Sequence, residues 1–139
     1  MAYRIHKSLD TLRPAQQKAM RELLAKDETV VFVAEEAPYK AWEYVVTAVA
    51  YYFLRTGGVF LNYATNKRVG TVRMHWAGTI RLHMSEQVRM LNHVRTQWPG
   101  YHVIYQTKLG VYEGHANAPT KEDRDFVVQA LNELIANND

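Results

Sequence analysis

A chain of 139 residues, 47% apolar and 22% charged, has the composition of an ordinary globular domain and is long enough to bury a core of its own. It contains no cysteine, which excludes disulfides, thiolate metal ligands and a cysteine nucleophile. The net charge of +3 is unevenly spread: residues 66–113 carry seven cations against two anions, and residues 114–139 carry two against five, an asymmetry that points to an anionic partner.

The opening MAYRIHKSLD lacks the apolar core and small-residue cleavage site of a signal peptide. The longest apolar stretch, Ala41 to Leu54, is shorter than the roughly 20 residues a bilayer span needs. The expected address is the cytoplasm, with no membrane partner.

In chain order, Pro14 opens a first helix, since its fixed φ and missing N–H suit the first turn, and Ala19, Met20, Leu23 and Leu24 form its apolar face. Thr29 to Ala34 is a β-branched and aromatic run, the mark of a strand covered on both faces. Pro38 opens a second helix reaching about Leu54, stopped by Gly57-Gly58. Its residues are apolar nearly all round, so it is expected either to be buried on every side or to pack on a second subunit, which favours a homodimer.

Val59 to Tyr63 reads as a strand. A hairpin then follows, in which Val72, Met74 and Trp76 alternate with Arg73 and His75, and Ile80, Leu82 and Met84 alternate with Arg81 and His83. A three-residue loop, Ala77-Gly78-Thr79, pairs Trp76 with Ile80, Met74 with Leu82 and Val72 with Met84. Ser85 is expected to cap a third helix with an inward stripe of Val88, Leu91, Val94 and Trp98, ended by Pro99-Gly100. Tyr101 to Gln106 and Val111 to Gly114 form a second hairpin, and Thr120 caps a last amphipathic helix. Strands and helices do not alternate strictly, so the expected fold is a single α+β domain over residues 1–139. It has a mostly antiparallel or mixed sheet of five to six strands with helices on one face, in the order α-β-α-β-β-β-α-β-β-α.

The hairpin register has a functional corollary. It sets His75 opposite Arg81 and Arg73 opposite His83, with Lys67 and Arg68 extending the patch, a block of donors suited to phosphate oxygens. His75 and His83 alone lack a third ligand for a metal, so neither metal nor cofactor is expected. A second candidate is Glu35, Glu36 and Lys40, in the segment between the buried strand and the second helix, where two carboxylates offer acid–base chemistry.

The segments LRPAQQKAMRELL, VVFVAEEAPYKAW and GGVFLNYATNKR are similar in order to the front end of helicase-type and terminase-type P-loop ATPases. The phosphate loop departs from that pattern. It has no glycines, and Lys40 is followed by Ala41 instead of Ser or Thr, so no ATPase chemistry is expected. The expected function is that of a small basic, non-enzymatic binding protein engaging nucleic acid or an acidic protein through residues 66–113. The alternatives are a homo-oligomeric interaction, inhibitor or scaffold protein acting through the apolar helix at 38–55, and a small-ligand binder or enzyme using Glu35, Glu36 and Lys40.

Overall fold

The β-branched run leads into a strand that is paired on both sides within a sheet from Val33 onward. The computed structural model describes residues 2–37, 42, 45–46, 48–49, 58–75 and 77–138. Among these the strands are β1 (Ala2–His6), β2 (Val30–Ala37), β3 (Val59–Thr65), β4 (Arg68–Met74), β5 (Ile80–Gln87), β6 (Leu91–Gln97), β7 (Tyr101–Thr107) and β8 (Glu113–Ala118). The helices are α1 (Pro14–Leu23) and α2 (Lys121–Asn137). Strands β1 to β5 form one antiparallel sheet in chain order, and β6 to β8 form a second. The fold is α+β, with its strands divided between two sheets.

Directly opposed residues share a sheet face. Val33, Tyr63 and Gly70 make one cross-strand row of the large sheet, Leu61 and Val72 another, Val59 and Met74 a third. Helix α1 closes this face with Ala19 and Met20, joined by Leu12. On the other face Phe32, Ala34, Ala64 and Val69 meet Val103, Tyr105 and Ala116 of the small sheet and Val127, Leu131 and Leu134 of α2. Both helices begin as expected, α1 with Pro14 in its first turn and α2 behind Thr120, whose Oγ1 accepts the Asp123 N–H at 3.2 Å.

Two hairpins share one device. Tyr63 lies opposite Gly70 and Tyr105 opposite Gly114, each ring lying across its glycine. In each turn a threonine two residues further on accepts backbone N–H groups. Thr65 Oγ1 takes those of Lys67 and Arg68 at 3.1 and 3.0 Å, and Thr107 Oγ1 takes that of Tyr112 at 3.0 Å. Burial pushes the Tyr63 and Tyr112 phenols up to about 12 and raises that of Tyr105 well above its ordinary value.

Several elements differ from expectation. Strand β1 was not anticipated. The helix expected from Ser85 to Trp98 is instead the end of β5, a short 3-10 turn at Val88–Met90, and β6. Val88 and Leu91 are buried, but Trp98 is 87% exposed. Pairing of β6 with β7, which sets Val94 against Tyr105 and Thr96 against Val103, overrides the helical spacing.

The first hairpin is also shifted. The chain reverses between His75 and Thr79, with the His75 N–H donating to the Thr79 carbonyl at 2.9 Å and Gly78 at φ +96°. In a three-residue loop the left-handed position is the last one, so the glycine closes the loop instead of occupying its middle. An irregularity at Arg73/Met74 then sets Met74 against Ile80, Arg73 against Leu82, Val72 against His83 and Thr71 against Met84. A Cβ on Gly78 would stand 2.7 Å from the Ala15 carbonyl oxygen, so the hairpin tip rests on the start of α1.

Of the helix expected at 38–54, residues 42, 45, 46, 48 and 49 are helical and the others lie outside the described residues. Trp42, Val45, Val46 and Val49 are between 51% and 63% exposed, so burial on every side does not hold for them.

Candidate functional site

Strand β1 alternates, with Tyr3 and Ile5 toward one face and Arg4 and His6 toward the other. Pairing with β2 sets Arg4 against Glu35 and His6 against Val33, so His6 and Glu35 are diagonal neighbours on one face. His6 Nε2 lies 2.6 Å from Glu35 Oε1, and His6 Nδ1 lies 2.7 Å from Thr11 Oγ1. The imidazole is 5% exposed and the glutamate 2%, while Thr11 is at the surface.

Thr11 is held by the short turn Leu9–Thr11. Gln17 Nε2 of α1 donates to the Leu9 carbonyl at 3.0 Å, and Arg21 pairs with Asp10 at 2.9 Å. These contacts fix the hydroxyl relative to both helix and sheet. A carboxylate oxygen accepts, so in the tautomer whose Nε2–H donates to Glu35, Nδ1 is the nitrogen left to accept from the Thr11 hydroxyl. The chain therefore runs from buried acid through buried imidazole to a surface hydroxyl.

That hydroxyl opens on a cavity of about 410 Å³. One wall is Arg4, Ile5, His6, Lys7 and Thr11, and the other is Pro119 and Asp123 at the start of α2. Lys7 Nζ sits 4.8 Å from the centroid of the Phe126 ring, at the same end of α2.

The residues singled out in the sequence are distributed differently. Glu35 and Glu36 belong to β2 itself, because pairing with β1 extends the ladder to Ala37. As strand neighbours they point to opposite faces. Glu36 lines a small cleft with Tyr3, Asn62, His115 and Asn117, and burial raises its carboxyl above the usual range. Lys40 lies outside the described residues.

The basic residues do not form the expected block. His83 faces the α1 side of the large sheet, where its Nε2 lies 2.7 Å from the Tyr63 hydroxyl, and Arg73, opposite Leu82, belongs to the other face. Burial, followed by the Arg68 charge, lowers the His83 pKa. His75 closes the turn with Thr79, and Arg81 lies in β5 next to the register shift. Lys67 is paired with Asp27. Arg68 pairs with Glu28 at 3.1 Å and donates to the Leu23 carbonyl at 2.9 Å. The register was the flaw, since a one-residue shift exchanges the faces.

His6 and Thr11 were not among the residues expected from the sequence. The available signal was the alternation in Tyr3-Arg4-Ile5-His6, followed by the turn formers Ser8 and Asp10. Among the described residues no group of three or more His, Asp or Glu is placed to hold a metal ion, and no helix is long and apolar enough to cross a membrane. The chain matches no protein-family model and no curated protein.

Proposed function

We propose that this protein binds a small molecule in the cavity beside Thr11 and acts on it through the Glu35–His6–Thr11 chain. The observation that carries this reading is a carboxylate and an imidazole held out of water, joined by a 2.6 Å contact, and relayed to a surface hydroxyl on a cavity. Burying such groups is costly unless they are hydrogen-bonded, and an imidazole held between a carboxylate and a hydroxyl is an arrangement that moves protons. Ile5 and Pro119 offer apolar contact, while Arg4 and Lys7 add positive charge beside Asp123, which suits a ligand carrying one acidic group.

The test is a titration with a panel of small carboxylates and carboxylic esters, read by amide chemical shifts. Perturbations are expected at Ile5, Lys7, Thr11 and Asp123, with affinity falling about tenfold in Lys7→Ala, the loss of a charge-assisted contact. Shifts confined to other parts of the surface would overturn the reading.

A second reading keeps an anionic partner, with nucleic acid as its class, and rests on the small sheet. Along its face away from Tyr105, cross-strand pairing places Arg95, Ile104 and His115 in one row, flanked by Gln97, His102 and Asn117 and by His93, Gln106 and Glu113. His102 Nε2 lies 3.0 Å from His115 Nδ1, and His115 Nε2 lies 3.5 Å from Glu113 Oε2. Burial, then the nearby His115 and Arg95, lower the His102 pKa, with Glu113 opposing. A bound phosphate favours the protonated imidazole, so binding takes up a proton at neutral pH. Oligonucleotide affinity is expected to rise as pH falls below 7 and to drop with salt, because phosphate contacts release counterions. Fluorescence anisotropy at two pH values and two salt concentrations checks this, and an affinity indifferent to both removes the reading.

A further inference from the structure

We infer that Thr11 is a nucleophile for acyl transfer, so that the molecule entering the cavity is a small carboxylic ester. This rests on the cavity reading above and goes further by naming the reacting atom. Three observations converge. The Thr11 hydroxyl is at the surface, on the cavity wall. In the tautomer whose Nε2–H donates to Glu35 at 2.6 Å, His6 Nδ1 is the acceptor that lies 2.7 Å from the Thr11 hydroxyl. The imidazole is 95% buried, so the proton-accepting nitrogen is screened from bulk water and held in one orientation. A hydroxyl with an adjacent base, itself oriented by a third group, is the arrangement that activates a weak oxygen nucleophile.

The step balances within the chain and water. Thr11 Oγ1 attacks the ester carbonyl carbon while its proton passes to His6 Nδ1. The carbon–oxygen bond to the alcohol breaks, and the alcohol leaves with the proton from His6. Water then attacks the acyl-threonine, gives one proton to His6 and releases the acid, and Thr11 regains its hydrogen. Ester and water become acid and alcohol, with no change of oxidation state. Thr11 and His6 touch the reacting atoms, and Glu35 is a positioning residue that fixes the ring nitrogen presented to Thr11.

The experiment uses the full chain and a β-lactone, which acylates a hydroxyl by ring opening and retains all its atoms. Intact mass should rise by one lactone, and peptide mapping should place the adduct on Thr11. Thr11→Val, which removes the hydroxyl and keeps the branched shape of the side chain, should abolish the adduct, and Thr11→Ser should retain it. His6→Gln should slow labelling at least a hundredfold, the contribution expected of a general base, with a thermal melt confirming that the variant is folded. An adduct elsewhere, or labelling unchanged in Thr11→Val, overturns the inference. Shift perturbations at Ile5 and Asp123 with small carboxylates, but no acylation of Thr11, would leave the binding reading standing and remove only the nucleophile.

Discussion

Replacing His6 with alanine is expected to lower the unfolding free energy by about 1–3 kcal/mol, the usual cost of removing the hydrogen-bond partner of a buried polar group. Glu35 is 2% exposed, and the 2.6 Å contact to His6 is one of the interactions that compensate its burial. Removing the ring leaves the carboxylate in the same dry position with that partner gone, and also removes the contact that ties Thr11 to β1. The double variant His6→Leu with Glu35→Leu should recover much of the loss, because no ion is then buried. Urea denaturation of His6→Leu, Glu35→Leu and the double variant gives the coupling directly. Additive losses would mean that the pair is not the reason the two residues tolerate burial.

The second large effect is expected at Gly114. An alanine Cβ there would stand 2.2 Å from Tyr105 Cζ and 2.3 Å from Cε2. The ring cannot move away. It is fully buried, meets Phe32 edge-on at 6.2 Å between centroids, and has Tyr112 at 6.2 Å on another side. Gly114→Ala should therefore cost about 3 kcal/mol or more, at or beyond the upper end for overpacked cores. Gly100→Ala is the control. Gly100 has φ +86° but nothing within 4 Å of the added carbon, so only the left-handed backbone penalty of about 1 kcal/mol applies. Gly114 itself has no positive φ, so a loss there no greater than at Gly100 would show that the ring of Tyr105 yields and does not set the requirement for glycine.

The contrast between those glycines also bears on what the sequence could reveal. Signals that act within a few residues were legible: Pro14 at the start of α1, Thr120 capping α2, the run through Val31 to Ala34, and the hairpin from Tyr101. Readings that depended on distant pairing failed. β1 is five residues long and becomes a strand because β2 accepts it along an edge. In β6, Leu91 and Val94 satisfy a helical spacing and a strand pattern alike, and only β7 decides between them. The candidate site divides along the same line. Glu35 drew notice for its chemistry, yet its partners His6 and Thr11 are 29 and 24 positions away in the chain. A shift in one hairpin was enough to separate Arg73 from His83.

Strand β2 feeds both halves of the interior. Val33 faces α1 and its surroundings, while Phe32 and Ala34 face the small sheet and α2. Neither half can loosen at β2 without disturbing the other, so the two layers should melt together, and the backbone around residues 32–34 acts as the common hinge pin of the whole assembly. The imidazole–carboxylate contact springs from this same strand through Glu35, so the support of the Thr11 hydroxyl should be lost only when both layers give way.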